Sequence, residues 1–190
     1  MRRAALSMLR YRIGASPQLL ILTDRVLKHF DRHRQSKANL PEAGGQLFAK
    51  LSDGEILIEK ATGPRPTDRR GRTFYNPDRR AEQREIDHFH GAGLHYIGDW
   101  HTHPCARPEP SHTDIASIME TTQRSSHDLN GFILIIVGTD PFPSGIRVSI
   151  YSQNELVLRP EDDEAIDQAN REDPPPRKNW IRRLFRQGHK

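Results

Sequence analysis

Two histidines separated by one residue, His101 and His103, open the case for metal chemistry. Residues i and i+2 of a strand project from the same side, so both imidazoles can reach one ion. Imidazole suits zinc, at about 2.0–2.1 Å. Asp114 stands eleven residues after His103, and its carboxylate offers a third ligand. Structural zinc is normally four-coordinate and sulfur-rich, so a three-ligand site leaves a place for water, as in hydrolases. Zinc lowers the pKa of that water towards about 7. A general base is then needed, and Glu42, just ahead of Gly44-Gly45 and a strand, is the candidate. Each feature also has an ordinary reading. An isolated His-x-His is usually incidental. Ser111-x-x-Asp114 has the form of a capping box, with Ser111 as N-cap and Asp114 at N3. Glu42 on its own reads as a solvent-exposed loop glutamate. Capping and ligation are compatible, because a first-turn carboxylate is rigidly aimed.

The surrounding pattern supplies elements that can position these groups. Gln18–Leu22 has strand character, and Thr23-Asp24 starts a helix that runs to about Arg34. Gln46–Leu51 and Glu55–Ala61 are strands joined by a Ser52-Asp53-Gly54 turn. Gly63–Arg72 reads as a loop, Thr73–Tyr75 as a brief strand, and Asp78–His90 as a surface helix stopping at Gly91. Leu94–His101 is a strand leading straight into the histidine pair. Pro104–Pro110, with three prolines, is irregular, and Ser111 starts a helix with Ile115, Ile118 and Met119 at helical spacing. Gly131–Gly138 is a central strand buried on both faces, and Ile146–Ser152 with Glu155–Arg159 forms a closing hairpin. The expected class is α/β (α+β), a mixed sheet with helices packed on it.

The string His101-Thr102-His103-Pro104, the stiff Pro104–Pro110 loop and Ser111-x-x-Asp114 resemble the JAMM (JAB/MPN) metalloprotease signature, and Glu42-Ala43-Gly44-Gly45 matches its upstream E-x-G-G element. The resemblance covers roughly Leu19–Arg159. It implies a cytidine-deaminase-like fold and one zinc ion, held by His101, His103 and Asp114 with a water. It further implies that Glu42 takes the water's proton and returns one to the leaving amine, and that Ser111 hydrogen-bonds the oxyanion. Deaminase chemistry itself fits poorly, since the H-x-E and P-C-x-x-C elements are absent. The segments around Trp100 (GDWHTHP) and ATGPRPTDRR resemble the bacterial JAB branch, which occurs with E1- and E2-like proteins, including in anti-phage operons such as CBASS. The implied activity is hydrolysis after the C-terminal tail of a ubiquitin-like or similarly conjugated protein. Substrate-binding residues are not assigned by the sequence.

The bulk numbers bound these readings. The chain has 190 residues, net charge +4 and one cysteine, Cys105, so no intrachain disulfide is possible. A reducing, cytoplasmic setting is expected. No apolar run approaches the roughly 18–20 residues a membrane helix needs. Residues 1–160 are expected to form the catalytic domain and 161–190 a charged, Pro-containing, flexible tail. Its Trp180–Phe185 segment would make a basic amphipathic helix. Other functions remain open at this stage: a peptidase maturing ubiquitin-like or sulfur-carrier precursors, a non-catalytic MPN scaffold, or nucleic-acid binding through Arg65, Arg69, Arg70 and Arg72 and the tail. Nucleic acid is not required by the leading reading.

Overall fold

The computed structural model describes residues 8–124 and 129–161. The tail expected at 161–190, including Trp180–Phe185, lies outside the described residues beyond Glu161.

An eight-stranded mixed sheet organises the chain, in the order β1-β2-β4-β3-β7-β8-β9-β10. The strands are β1 (Leu9–Arg12), β2 (Leu19–Leu22), β3 (Gly44–Leu51), β4 (Glu55–Ala61), β7 (His95–Thr102), β8 (Phe132–Val137), β9 (Ile146–Tyr151) and β10 (Glu155–Leu158). β2 pairs parallel to β4, and β7 parallel to β8. The other pairs are antiparallel. A separate two-stranded hairpin joins β5 (Arg69–Gly71) to β6 (Phe74–Asn76). Its first strand falls inside the stretch expected to be a loop. A three-residue strand rich in arginine carries no apolar alternation, so only pairing with β6 reveals it. β1 was likewise not signalled by its sequence. It forms by pairing Leu9–Arg12 with Leu19–Leu22.

Three helices cover the sheet: α1 (Asp24–His33), α2 (Arg79–Gly91) and α3 (His112–Arg124). Thr23 caps α1, its hydroxyl accepting from Val26 N–H, and Asp78 caps α2 through Arg80 and Ala81 N–H. α2 stops at Gly91, as expected. Gly93, at φ +78°, takes the left-handed conformation that releases the chain.

β8 is buried along its whole length, as its apolar run predicts, and separates two cores. Ile133, Ile135 and Val137 join Val26, Leu27, Phe30 and Trp100 on the α1 side. Phe132, Leu134 and Ile136 join Ile118 on the α3 side. Each fully buried side chain of this size contributes roughly 1.5–3 kcal/mol. In β7 the alternation is broken. Ile97 and Trp100, three apart, face the same α1-side core. The ladder with β3 shifts register opposite Gly98, whose φ of +147° suits glycine. A Cβ there would stand 1.9 Å from Ile133 O. This bulge turns Asp99 and His101 onto the α3 side while keeping Trp100 in the core.

Candidate metal centre and active site

β7, α3 and β8 form a parallel β-α-β unit, so α3 begins above the C-terminal end of β7. Ligands in α/β sheets gather at such strand ends. His101 is the penultimate residue of β7, and His103 follows the strand, its N–H donating to Val137 O at 2.9 Å. The Pro104–Pro110 loop then returns the chain to α3. At its start Ser111 and Asp114 make the expected reciprocal cap. Ser111 N–H donates to Asp114 Oδ2 at 2.7 Å, and Asp114 N–H donates to Ser111 Oγ at 3.2 Å. Capping fixes the carboxylate without using up its outward side.

The three expected ligands come together. His101 Nε2 lies 3.1 Å from His103 Nε2 and 3.3 Å from Asp114 Oδ1, and His103 Nε2 lies 3.4 Å from Asp114 Oδ2. Their ligand atoms all fall within 4.8 Å of one another. Four ligands at about 2.0–2.1 Å in a tetrahedron stand about 3.3–3.4 Å apart. The observed spacing matches that edge length, so two imidazoles and one carboxylate fit a zinc-sized ion with a position left for water. The carboxyl group of Asp114 would be raised by burial, yet bonds from His101, His103 and Ser111 hold it well below the usual range. Burial works against the charged form of His103, but Asp114 and Glu42 outweigh it and raise its pKa.

Glu42 is not an exposed loop residue: it is 7% exposed and lines the same cavity, of about 560 Å³, as the two histidines, Ser111 and Asp114. Burial raises its pKa to about 7, with His103 opposing and Asp114 adding to the rise. A carboxylate titrating near neutrality suits a general base. Its backbone is clamped by the β5–β6 hairpin. Glu42 N–H donates to Gly71 O at 2.7 Å, and Arg70 Nη1 donates to Glu42 O at 3.3 Å. β3 then lies against β7, with Gly44 opposite His101. At Gly45 a Cβ would stand 2.0 Å from Thr62 O, so the Gly-Gly pair is required by close backbone approach.

A family model described as prokaryotic homologs of the JAB domain matches residues 24–151, more than half of the chain. The chain belongs to the prokaryotic JAB family. It is similar to a protein called CD-NTase/cGAS isopeptidase from Enterobacter hormaechei, 33% identical over 128 residues, covering 65% of this chain and 70% of that one. A second protein of that name, from Pseudomonas aeruginosa, is 30% identical over 129 residues, covering 63% and 77%. A probable metalloprotease, y4qB of Sinorhizobium fredii, is 44% identical over 78 residues, covering 38% and 48%. Among solved structures, protein DSY2949 of Desulfitobacterium hafniense superposes with a TM-score of 0.52 at 17% identity, covering 74% of this chain and 88% of that one. That likeness shows the fold. The JAB protein is therefore a JAMM-type peptidase, and its family implies a metal.

Several residues around this JAB site escaped sequence reasoning. Phe74 of the hairpin lines the cavity and is 52% exposed. Arg65, in the stretch expected to be a loop and a candidate for nucleic-acid contact, is buried. It donates to Glu85 Oε1 at 3.0 Å, Gln46 Oε1 at 3.2 Å and Thr62 Oγ1 at 3.4 Å, and it pairs with Asp68 at 3.7 Å. Its spacing carried no sign of these partners, which come from β3, α2 and the segment between β4 and β5. Arg69, Arg70 and Arg72 are exposed, the first two on β5. Cys105 is free and exposed, and His112 is exposed as expected. No described helix is long and apolar enough to cross a membrane.

Proposed function

We propose that this protein is a zinc-dependent isopeptidase that hydrolyses the bond after the C-terminal tail of a ubiquitin-like or similarly conjugated protein. The observation that carries the reading is the His101–His103–Asp114 triad at tetrahedral spacing, with Glu42 buried in the same cavity. His101, His103 and Asp114 would hold the zinc. When bound, zinc would supply Lewis acidity towards the scissile carbonyl and towards a water molecule. Glu42 would accept the proton of the attacking water and pass it to the leaving amine. Ser111 accepts the Asp114 N–H bond through a lone pair, and its O–H, which faces the Asp114 carboxylate, would turn to donate to the oxyanion. The substrate tail would lie extended along the cavity wall made by the β5–β6 hairpin, in the manner of strand addition.

The relatives named CD-NTase/cGAS isopeptidase support a conjugated protein as substrate. The proposal extends this to reversal of E1/E2-type conjugation, in the cytoplasm and in anti-phage defence. Residues 1–160 would be the catalytic domain, with 161–190 as an appended tail. The test is incubation of the zinc-loaded protein with a conjugate assembled by E1- and E2-like proteins, beside Glu42→Ala and a chelator-treated sample. Cleavage by the wild type alone is expected. A conjugate left intact by all three would remove the proposed substrate, and cleavage by Glu42→Ala would remove the proposed base.

A further inference from the structure

We infer that Gln35 is a positioning residue that sets Glu42 against the metal ligands, an inference resting on the reading of Glu42 as the proton acceptor. Gln35 follows α1 and is 3% exposed. Its side-chain amide bonds three groups around the site, through its oxygen and both N–H donors. Oε1 accepts from the hydroxyl of Thr102 at 3.0 Å. Nε2 donates to Leu40 O at 3.1 Å and to Arg72 O at 3.0 Å.

Each of those partners is one step from the chemistry. Thr102, fully buried, lies between His101 and His103, and its Oγ1 also accepts from Ala43 N–H at 3.0 Å. Leu40 lies two residues before Glu42. Arg72 follows Gly71, whose carbonyl accepts the Glu42 N–H. A closed set of hydrogen bonds thus grips the chain on both sides of Glu42 and ties it to the histidine-bearing strand and to the hairpin. No atom of Gln35 is placed among the cavity's lining residues. The geometry asks for an amide, one acceptor and two donors on one planar group. A glutamate would set carboxylate oxygen against the carbonyls of Leu40 and Arg72.

The experiment compares zinc-loaded wild type with Gln35→Leu, Gln35→Glu, Thr102→Val and Thr102→Ser. Gln35→Leu, Gln35→Glu and Thr102→Val are each expected to lower kcat about 10–100-fold, with KM changed less than about twofold. Zinc content should stay at the wild-type level, since the three ligands remain. Thr102→Ser keeps the hydroxyl and should recover most of the kcat lost in Thr102→Val. Amide hydrogen exchange gives a readout that needs no substrate. Gln35→Leu should lose protection at residues 40–43 and 69–76 while residues 132–137 keep theirs. Unchanged exchange at 40–43 overturns the inference, whether or not any conjugate is cleaved. So does a kcat equal to wild type, or an equal loss of protection through β8, which would mark Gln35 as a general stability residue. Failure of the wild type itself to cleave would instead count against the proposed function, with the exchange result still deciding Gln35.

Discussion

Asp114 Oδ2 accepts a 2.7 Å hydrogen bond from Ser111 N–H and lies 3.4 Å from His103 Nε2. One carboxylate oxygen therefore serves the helix cap and faces the candidate metal site. The backbone half of this link survives substitution of the Ser111 side chain. Ser111→Ala is accordingly expected to keep its zinc while kcat drops about 10²–10³-fold, the usual cost of one lost oxyanion donor. Thermal unfolding should show a loss of only about 1 kcal/mol for the missing cap. Zinc lost in parallel with activity would assign Ser111 to the cap alone.

Metal uptake at His103 and Asp114 would compete with protonation of His103. His103 is raised above the ordinary histidine value: burial lowers it, but Asp114 and Glu42 prevail. Zinc binding should release a proton, and the apparent Kd should weaken about tenfold per pH unit once the pH falls below that raised value. Calorimetry in buffers of different ionisation enthalpy measures the released proton directly. A Kd independent of pH between about 5 and 8 would show that His103 does not compete with the metal for a proton. Asp114→Asn should remove most of the affinity.

Glu42 titrates near 7 because burial disfavours its charged form. A base works ionised, so activity falls as the pH drops through its pKa. A bound dication stabilises the carboxylate, placing the acid limb of kcat/KM at or below about 7. Glu42→Gln should lower kcat about 10²–10⁴-fold and erase the acid limb from the residual rate. Persistence of that limb in the variant would assign it to another group.

Arg65, in the segment after β4, pairs with Asp68, Glu82 and Glu85, sharing Glu82 with Arg79, and Tyr75 hydroxyl lies 3.4 Å from its Nη1. Removing it takes the cation from buried Asp68 and from Glu85 and leaves Glu82 to Arg79. Arg65→Met is expected to cost about 3–5 kcal/mol in urea unfolding. Lysine should restore only part of this, because a point charge cannot reproduce the forked contacts. A variant as stable as wild type would show that these carboxylates take up protons or water at little cost.

The structure and the sequence divide the information along physical lines. Helix α1 was legible because Thr23, Asp24 and the spacing of Val26, Leu27 and Phe30 are local signals that tertiary contacts reinforce. β8 was legible because six consecutive buried residues need no partner to be recognised as apolar. β1 and β5 were not, because Leu9–Arg12 and Arg69–Gly71 are strands only by virtue of the chains beside them.

For the site, the sequence by itself determined the donor set. His101, His103, Ser111 and Asp114 lie within fourteen residues, and the cap between Ser111 and Asp114 is a local interaction that their spacing encodes. Glu42 was named by its motif, but its burial and its neighbours were decided only when β3 paired with β7. The tertiary structure alone decided which way β7 faces. Strict alternation from Ile97 would have put His101 on Trp100's opposite schedule, into the α1-side core, and the Gly98 bulge reverses this. It also decided that Arg65 would be buried and that Gln35, seven residues before Glu42 with no distinguishing pattern, would grip it. Local spacing specifies contacts within a turn or a strand. Contacts that close over tens of residues exist only once the sheet has assembled and desolvated them.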